Sequence, residues 1–279
     1  MVRWLFDLCL YQLDHFMHHL VPSQARREIL LTSVLGVAVY YGGFLPYKFG
    51  IVNEQQFVQS INREASAYYT NPSRALSNSE AAARAWEDFE IQRLPYSRGA
   101  MYFLDVNAKI MGISKGTRSI DEPVLELLRR KKNGQKYGLE EWLDILEKEF
   151  GLTAKQDWEI MGRGELVIPA SNALGPDYEL VRSDQEPWEL GFFASSMTSR
   201  IINGLIPASR AAEAGLRDGD VLLRNDFLSN SADHYERNLT LAIRRDDSRE
   251  INISYWPRRW EKVECYQWVK RPEHTQLEL

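Results

Sequence analysis

Side chains able to hold a metal or move a proton gather at two places in this chain. The first is Asp14-His15-Phe16-Met17-His18-His19. Its i,i+4 pairs, Asp14 with His18 and His15 with His19, can each set two ligands on one face of a helix. Two imidazoles one turn apart fill half of a zinc tetrahedron, and hydrolysis further needs a glutamate that takes a proton from the metal-bound water. Neither frame supplies it: Phe16 follows His15, and His15 follows Asp14. A histidine-rich surface turn without metal is the plainer account. The second place is Tyr96, within Leu94-Pro-Tyr-Ser-Arg-Gly-Ala100. A phenol at a helix entrance can donate a hydrogen bond into a cleft. The plainer account is a half-buried aromatic whose hydroxyl bonds backbone.

The element that must carry Tyr96 is legible from periodicity. Met101, Leu104 and Ala108, with Tyr102, Val106 and Ile110 one step over, recur at helical spacing between Arg98, Asp105 and Lys109. This predicts an amphipathic helix over 94–110 with Pro95 in its first turn. Residues 1–20 read as another amphipathic helix and not as a signal peptide, because Asp7 and Asp14 break the apolar run. The uncharged stretch 29–47 only just reaches the roughly twenty residues of a membrane span. A buried helix over 29–41 that breaks at Gly42-Gly43, with 44–47 a loop, is preferred, and a membrane segment is the minority alternative.

Asn53 with Gln56 predicts a capped helix over 54–69, stopped before Asn71-Pro72. Further helices are predicted over 79–88, from a Ser119/Glu122 capping box to Lys132, over 139–150 with a Trp142, Leu143, Leu146, Phe150 stripe, and from Thr153 to Met161. Residues 1–164 thus read as helices packed on helices. At 165–188 the composition turns to Pro, Gly, Ser and Asn, the mark of a linker or docked arm. Strand-type alternation follows over 189–259, with 260–279 a loose tail.

Glu189-Leu190-Gly191-Phe192 resembles the carboxylate-binding loop of PDZ domains, in which backbone N–H groups form an anion nest and a neighbouring strand accepts a peptide. The subsequent order is also PDZ-like: a strand over 200–205, a helix at 209–214, a turn at 215–220, Val221-Leu-Leu, and a hairpin pairing 239–245 with 250–255. Only 232–238 is available for the second helix, which leaves the peptide groove with one low wall. Leu190, Gly191 and Phe192 are the residues that would meet a peptide or protein C-terminus.

Tyr-x-Arg-Gly-Ala opening an apolar helix, together with Val39-Tyr40-Tyr41, Tyr68-Tyr69-x-Asn-Pro and the PDZ-like tail, resembles the C-terminal part of glycyl aminopeptidase-like metallopeptidases, metallopeptidase family sixty-one, of the gluzincin type. The likeness runs from about residue 20 to 259. It implies a helical gluzincin half followed by a small β-rich PDZ-like domain, zinc as cofactor, and Tyr96 as the catalytic donor to the tetrahedral intermediate. It also implies metal ligands among His15, His18 and His19. The family places a third ligand, a glutamate, where this chain has Leu35. Glu28, beside Arg26 and Arg27, lies too far upstream to replace it.

Three functions follow as expectations. The first is a truncated or catalytically degenerate member of that family, with zinc absent or weakly held. The second is an active zinc aminopeptidase acting on small N-terminal residues. The third is a PDZ-type adapter. The chain has 279 residues, 44% of them hydrophobic and 26% charged, which suits one large or two modest globular domains. A formal charge of −5 gives no reason to expect nucleic acid. Two cysteines, Cys9 and Cys265, form no metal or redox spacing, so a reduced, cytoplasmic protein is the default.

Overall fold

The computed structural model describes residues 36–85, 89–226, 228–232, 234–246 and 250–272. They form two compact units. One takes in the described residues up to Tyr68, then Ser73–Val181 and the residues from Gln267 on; the other takes in Tyr69–Pro72 and Arg182–Tyr266.

The first unit is mainly helical, with α1 (Gly36–Lys48), α2 (Glu54–Tyr69), α3 (Asn78–Arg84), α4 (Phe89–Ile113), α5 (Asp121–Lys132), α6 (Leu139–Phe150) and α7 (Ala154–Gly162). Local signals set several of these ends. The Asn53 side chain accepts from the Gln56 amide at 2.9 Å while the Gln56 side chain accepts from the Asn53 amide at 3.0 Å, the reciprocal cap its sequence announces. Ser77 and Glu80 form a second capping box at α3. Helix α6 buries Trp142, Leu143, Leu146 and Phe150 and ends at Gly151 in the left-handed region, φ 65°. At α5 the expected Ser119/Glu122 box does not form, because Glu122 reaches Arg118 instead and the cap residue is Ile120.

Two helices depart from the sequence reading. Helix α4 begins at Phe89, so Pro95 lies inside it rather than in its first turn. The ring removes the N–H that would reach the Ile91 carbonyl, a cost that the buried Ile91, Leu94, Met101 and Leu104 of the same helix offset. Helix α1 runs unbroken through Gly42-Gly43 and Pro46. Aromatic packing holds it: Tyr40 stacks on Phe44 at 4.2 Å, Phe44 meets Phe57 edge-on at 4.9 Å, and Tyr47 stacks on Phe57 at 4.5 Å. Gly43 faces Ile61 of α2, whose Cδ1 would lie 3.2 Å from an added Cβ. The glycine is a packing notch, not a break. Among the described residues no helix is long and apolar enough to cross a membrane.

The stretch read as linker or arm contains β1 (Tyr178–Arg182), and the stretch read as a loose tail contains β5 (Tyr266–Lys270); the two pair as a small sheet. Trp268 of β5 is 1% exposed. Asn62 of α2 accepts from the Trp268 amide at 2.7 Å and donates to its carbonyl at 2.9 Å, as a neighbouring strand would. Glu54 accepts from the Tyr178 hydroxyl at 2.6 Å and from Lys270 at 3.1 Å.

The second unit is built on an antiparallel sheet, β2 (Val221–Asn225), β3 (Leu239–Arg244) and β4 (Ile251–Tyr255) in that order, with a bulge between Leu222 and Arg224. Short helices α8 (Ser196–Ser199), α9 (Arg210–Glu213) and α10 (Leu228–Ala232) accompany it. Its core gathers Phe192, Ile202, Leu216, Leu222, Leu239, Leu241, Ile243, Ile253 and Tyr255. Ser209 caps α9 by accepting from the Ala212 amide at 3.2 Å. Asp220 is buried and takes two bonds of 2.8 Å from Arg245, while accepting the Arg217 amide at 2.8 Å, which closes the 215–220 turn. Gly219 sits there at φ 89°. Two expectations fail: only Ile201 of the strand read over 200–205 bridges Val221, and the helix read over 232–238 forms earlier, at α10. Arg200 in the left-handed region, φ 60°, ends α8 and turns the chain out of extended geometry.

Candidate functional site

The motif around Tyr96 is divided between structural duty and a candidate role. Arg98 is 0% exposed. Its guanidinium donates from Nη1 to Asn78 Oδ1 and from Nη2 to the carbonyls of Arg74 and Leu76, each at 2.7 Å. Burial pulls its pKa below the ordinary guanidinium value, and the Tyr68 hydroxyl beside it pushes the other way. Arginine keeps its charge there, and the planar fork satisfies three acceptors with one side chain. Arg98 therefore fastens the 74–78 segment to α4. Gly99 matters for its missing side chain. A Cβ on Gly36 would lie 2.5 Å from the Gly99 Cα, so α1 and α4 meet backbone to backbone.

Tyr96 is half-buried and lies about one helical turn before Gly99. It stands in the second turn of α4, after Pro95, rather than at the helix entrance. The crossing of Gly99 with Gly36, one turn away, is also where the described part of α1 starts.

His15, His18 and His19 lie outside the described residues, as do Asp14, Glu28 and Leu35. The described residues contain no group of three His, Cys, Asp or Glu arranged to hold a metal. Asp121, Asp105 and Asp157 serve as ion-pair partners. Asp121 accepts Tyr41 at 2.9 Å and Lys48 at 2.7 Å; burial works against its ionisation, but these two donors outweigh it and hold the carboxyl below its usual range. Asp105 and Asp157 share Lys109, each at 2.8 Å, and burial raises the pKa of Asp105 against that pairing.

In the second unit, Leu190, Gly191 and Phe192 form the entry to the sheet core. Gly191 has φ 84° and an added Cβ would lie 2.7 Å from Ala211, so only glycine fits. Its carbonyl accepts the Ile206 amide at 2.8 Å. Phe192 is 5% exposed within the core, and the Leu190 carbonyl accepts the Tyr255 hydroxyl at 2.6 Å. The amides of residues 190–192 donate to no backbone carbonyl among the described residues. Beyond them, the Phe193 amide donates to the Asn203 carbonyl at 3.0 Å, and the chain enters α8 where a peptide-accepting strand would be needed.

One cluster escaped the sequence reading. Arg258 is 4% exposed between the rings of Trp188 and Tyr235, at 5.2 and 5.5 Å, and donates to the Ser231 carbonyl at 2.7 Å. Arg210 lies over Trp256 and Trp260 at 4.7 and 3.8 Å. The tryptophans were visible in the sequence; which arginine each ring would meet was not.

No family model and no curated protein matches this chain. A solved structure does: an aminopeptidase N family protein from Idiomarina loihiensis, with a TM-score of 0.53 at 16% identity, over 88% of this chain and 47% of that one. The chain thus spans about half the length of that protein. The likeness is one of fold.

Proposed function

We propose that this chain is a gluzincin-type aminopeptidase relative of the glycyl aminopeptidase-like kind whose zinc chemistry is incomplete. The observation that carries the reading is Tyr96 on α4, one turn from the crossing of Gly99 with Gly36. The likeness in fold to an aminopeptidase N family protein supports it. In this reading Tyr96 stands where a phenol can donate to the oxyanion of a tetrahedral intermediate. Leu35, bonded to Gly36, occupies the position of the third metal ligand, so His15 with His19, or His18, would have to hold zinc without it. A bound zinc would supply a water of lowered pKa. The chain's own groups would supply the phenol at Tyr96 and the alignment given by α4.

Zinc content after dialysis, measured beside hydrolysis of glycyl and alanyl p-nitroanilides, tests this. The expected result is zinc far below one equivalent and no chelator-sensitive hydrolysis. Stoichiometric zinc with chelator-sensitive turnover would make the chain an active aminopeptidase.

A second reading rests on the amides of Leu190, Gly191 and Phe192, which donate to no backbone carbonyl among the described residues: the second unit is a PDZ-like module that takes a C-terminal carboxylate. The Ser209-capped helix and the Asp220-closed turn support the module. The helix α8 that follows Phe192 in place of a strand weighs against tight capture.

A further inference from the structure

The cationic end of α5 differs from a simple solvated helix terminus. Arg129, Arg130, Lys131 and Lys132 fill its last turn, and Lys136 follows. From Leu127 to Leu139 there is no Asp or Glu, so this short stretch carries five cations in a chain of net charge −5. The helix dipole alone favours cations there. It gives no reason for the leucines beside them. Leu125 and Leu128 are 56% and 55% exposed and stand at i,i+3 on the same side as Arg129 and Lys132. Tyr137, 50% exposed, lies under Lys131 at 5.6 Å.

The acids earlier in α5 are already engaged. Asp121 holds Lys48 and Tyr41, Glu122 holds Arg118, and Glu126 holds Arg129 and Arg130. Lys131, Lys132 and Lys136 are the cations of this stretch that form no ion pair among the described residues.

We propose that the outer face of α5, with the loop after it, docks on an anionic lipid bilayer. Two exposed leucines and a tyrosine can enter the headgroup and acyl boundary while the lysines remain among phosphate and carboxylate headgroups. Charge alone would suit nucleic acid equally, but a phosphate backbone makes no use of the leucines. The site is peripheral: the opposite face of α5 carries Pro123, which is buried in the helical unit.

Sedimentation of the full chain with phosphatidylcholine vesicles, with and without phosphatidylserine, tests the proposal. Binding is expected only with phosphatidylserine and should fall as salt shortens the Debye length. Lys131→Glu with Lys132→Glu should weaken it by about tenfold or more. Leu125→Ser with Leu128→Ser should weaken it in both low and high salt. These side chains are exposed, so unchanged circular dichroism will verify the fold, and the salt series on the unaltered chain stands independently of the variants. Equal binding to neutral vesicles, or undiminished binding by both variants, would overturn the proposal. So would binding to polyglutamate with none to vesicles, which would assign the face to an acidic protein.

Discussion

A buried guanidinium without a carboxylate partner is costly unless its donors find acceptors, and Arg98 meets that condition mainly through backbone carbonyls and Asn78. Its removal opens a cavity in the helical unit and takes the donor from three half-buried acceptors. Arg98→Ala should therefore destabilise the helical unit by about 2–4 kcal/mol, measured by urea unfolding. Arg98→Lys should recover only part of this, since an ammonium cannot span three acceptors with the same fork geometry. A lysine variant of unchanged stability would show that charge alone, and not the fork, holds the 74–78 segment.

Helix α1 is decided by what its glycines touch. Gly36→Ala drives a Cβ into the Gly99 backbone and should cost about 1–3 kcal/mol. Gly43→Ala meets the flexible end of Ile61 at 3.2 Å and the Ser60 hydroxyl at an ordinary 3.5 Å and gains helix propensity, so it should be near neutral or stabilising by about 1 kcal/mol. Thermal melts of the two variants compare them, and equal losses would contradict the close crossing. The β1 and β5 pair carries a pH dependence. Hydrogen bonds from Tyr178, then Lys270, lower the pKa of Glu54. A carboxyl depressed in the folded state contributes stability above its unfolded pKa and loses it as pH falls through the folded one. Protection of the β5 amides from hydrogen exchange, taken relative to the intrinsic rate at each pH, should accordingly fall below the ordinary glutamate range, and Glu54→Gln should remove that part of the pH response.

For the molecule as a whole, the two units predict separable folding. Residues 182–266 contain the sheet core, the Asp220–Arg245 pair and the Arg258 cluster, and should melt cooperatively when made alone. Peptide capture by that unit should be feeble, because Gly191 and Phe192 are buried and α8 follows them in place of an adjoining strand. C-terminal peptides should bind no tighter than about 100 μM, or about −5.5 kcal/mol. A submicromolar, carboxylate-dependent ligand found by titration would make peptide capture the main activity.

The sequence by itself determined the features that depend on a few neighbouring residues. The Asn53/Gln56 cap, the α6 stripe ending at Gly151, the Ser209 cap and the Gly219 turn all follow from local geometry and spacing. It also determined that the Leu35 side chain has no atom to offer a metal, a matter of side-chain chemistry that no fold can alter. Only the tertiary structure decided what distant residues do to one another. Gly42-Gly43 reads as a break until the aromatic packing between α1 and α2 is present, and Arg98 reads only as an interruption of the apolar spacing until three acceptors surround it. The strand pair of β1 with β5 is the extreme case: its partners are far apart in sequence, and neither five-residue stretch buries a face until Asn62 and Glu54 hold it against α2. Such pairing has no local signal, because the free energy that selects it comes from burying Trp268 and satisfying backbone groups at long range.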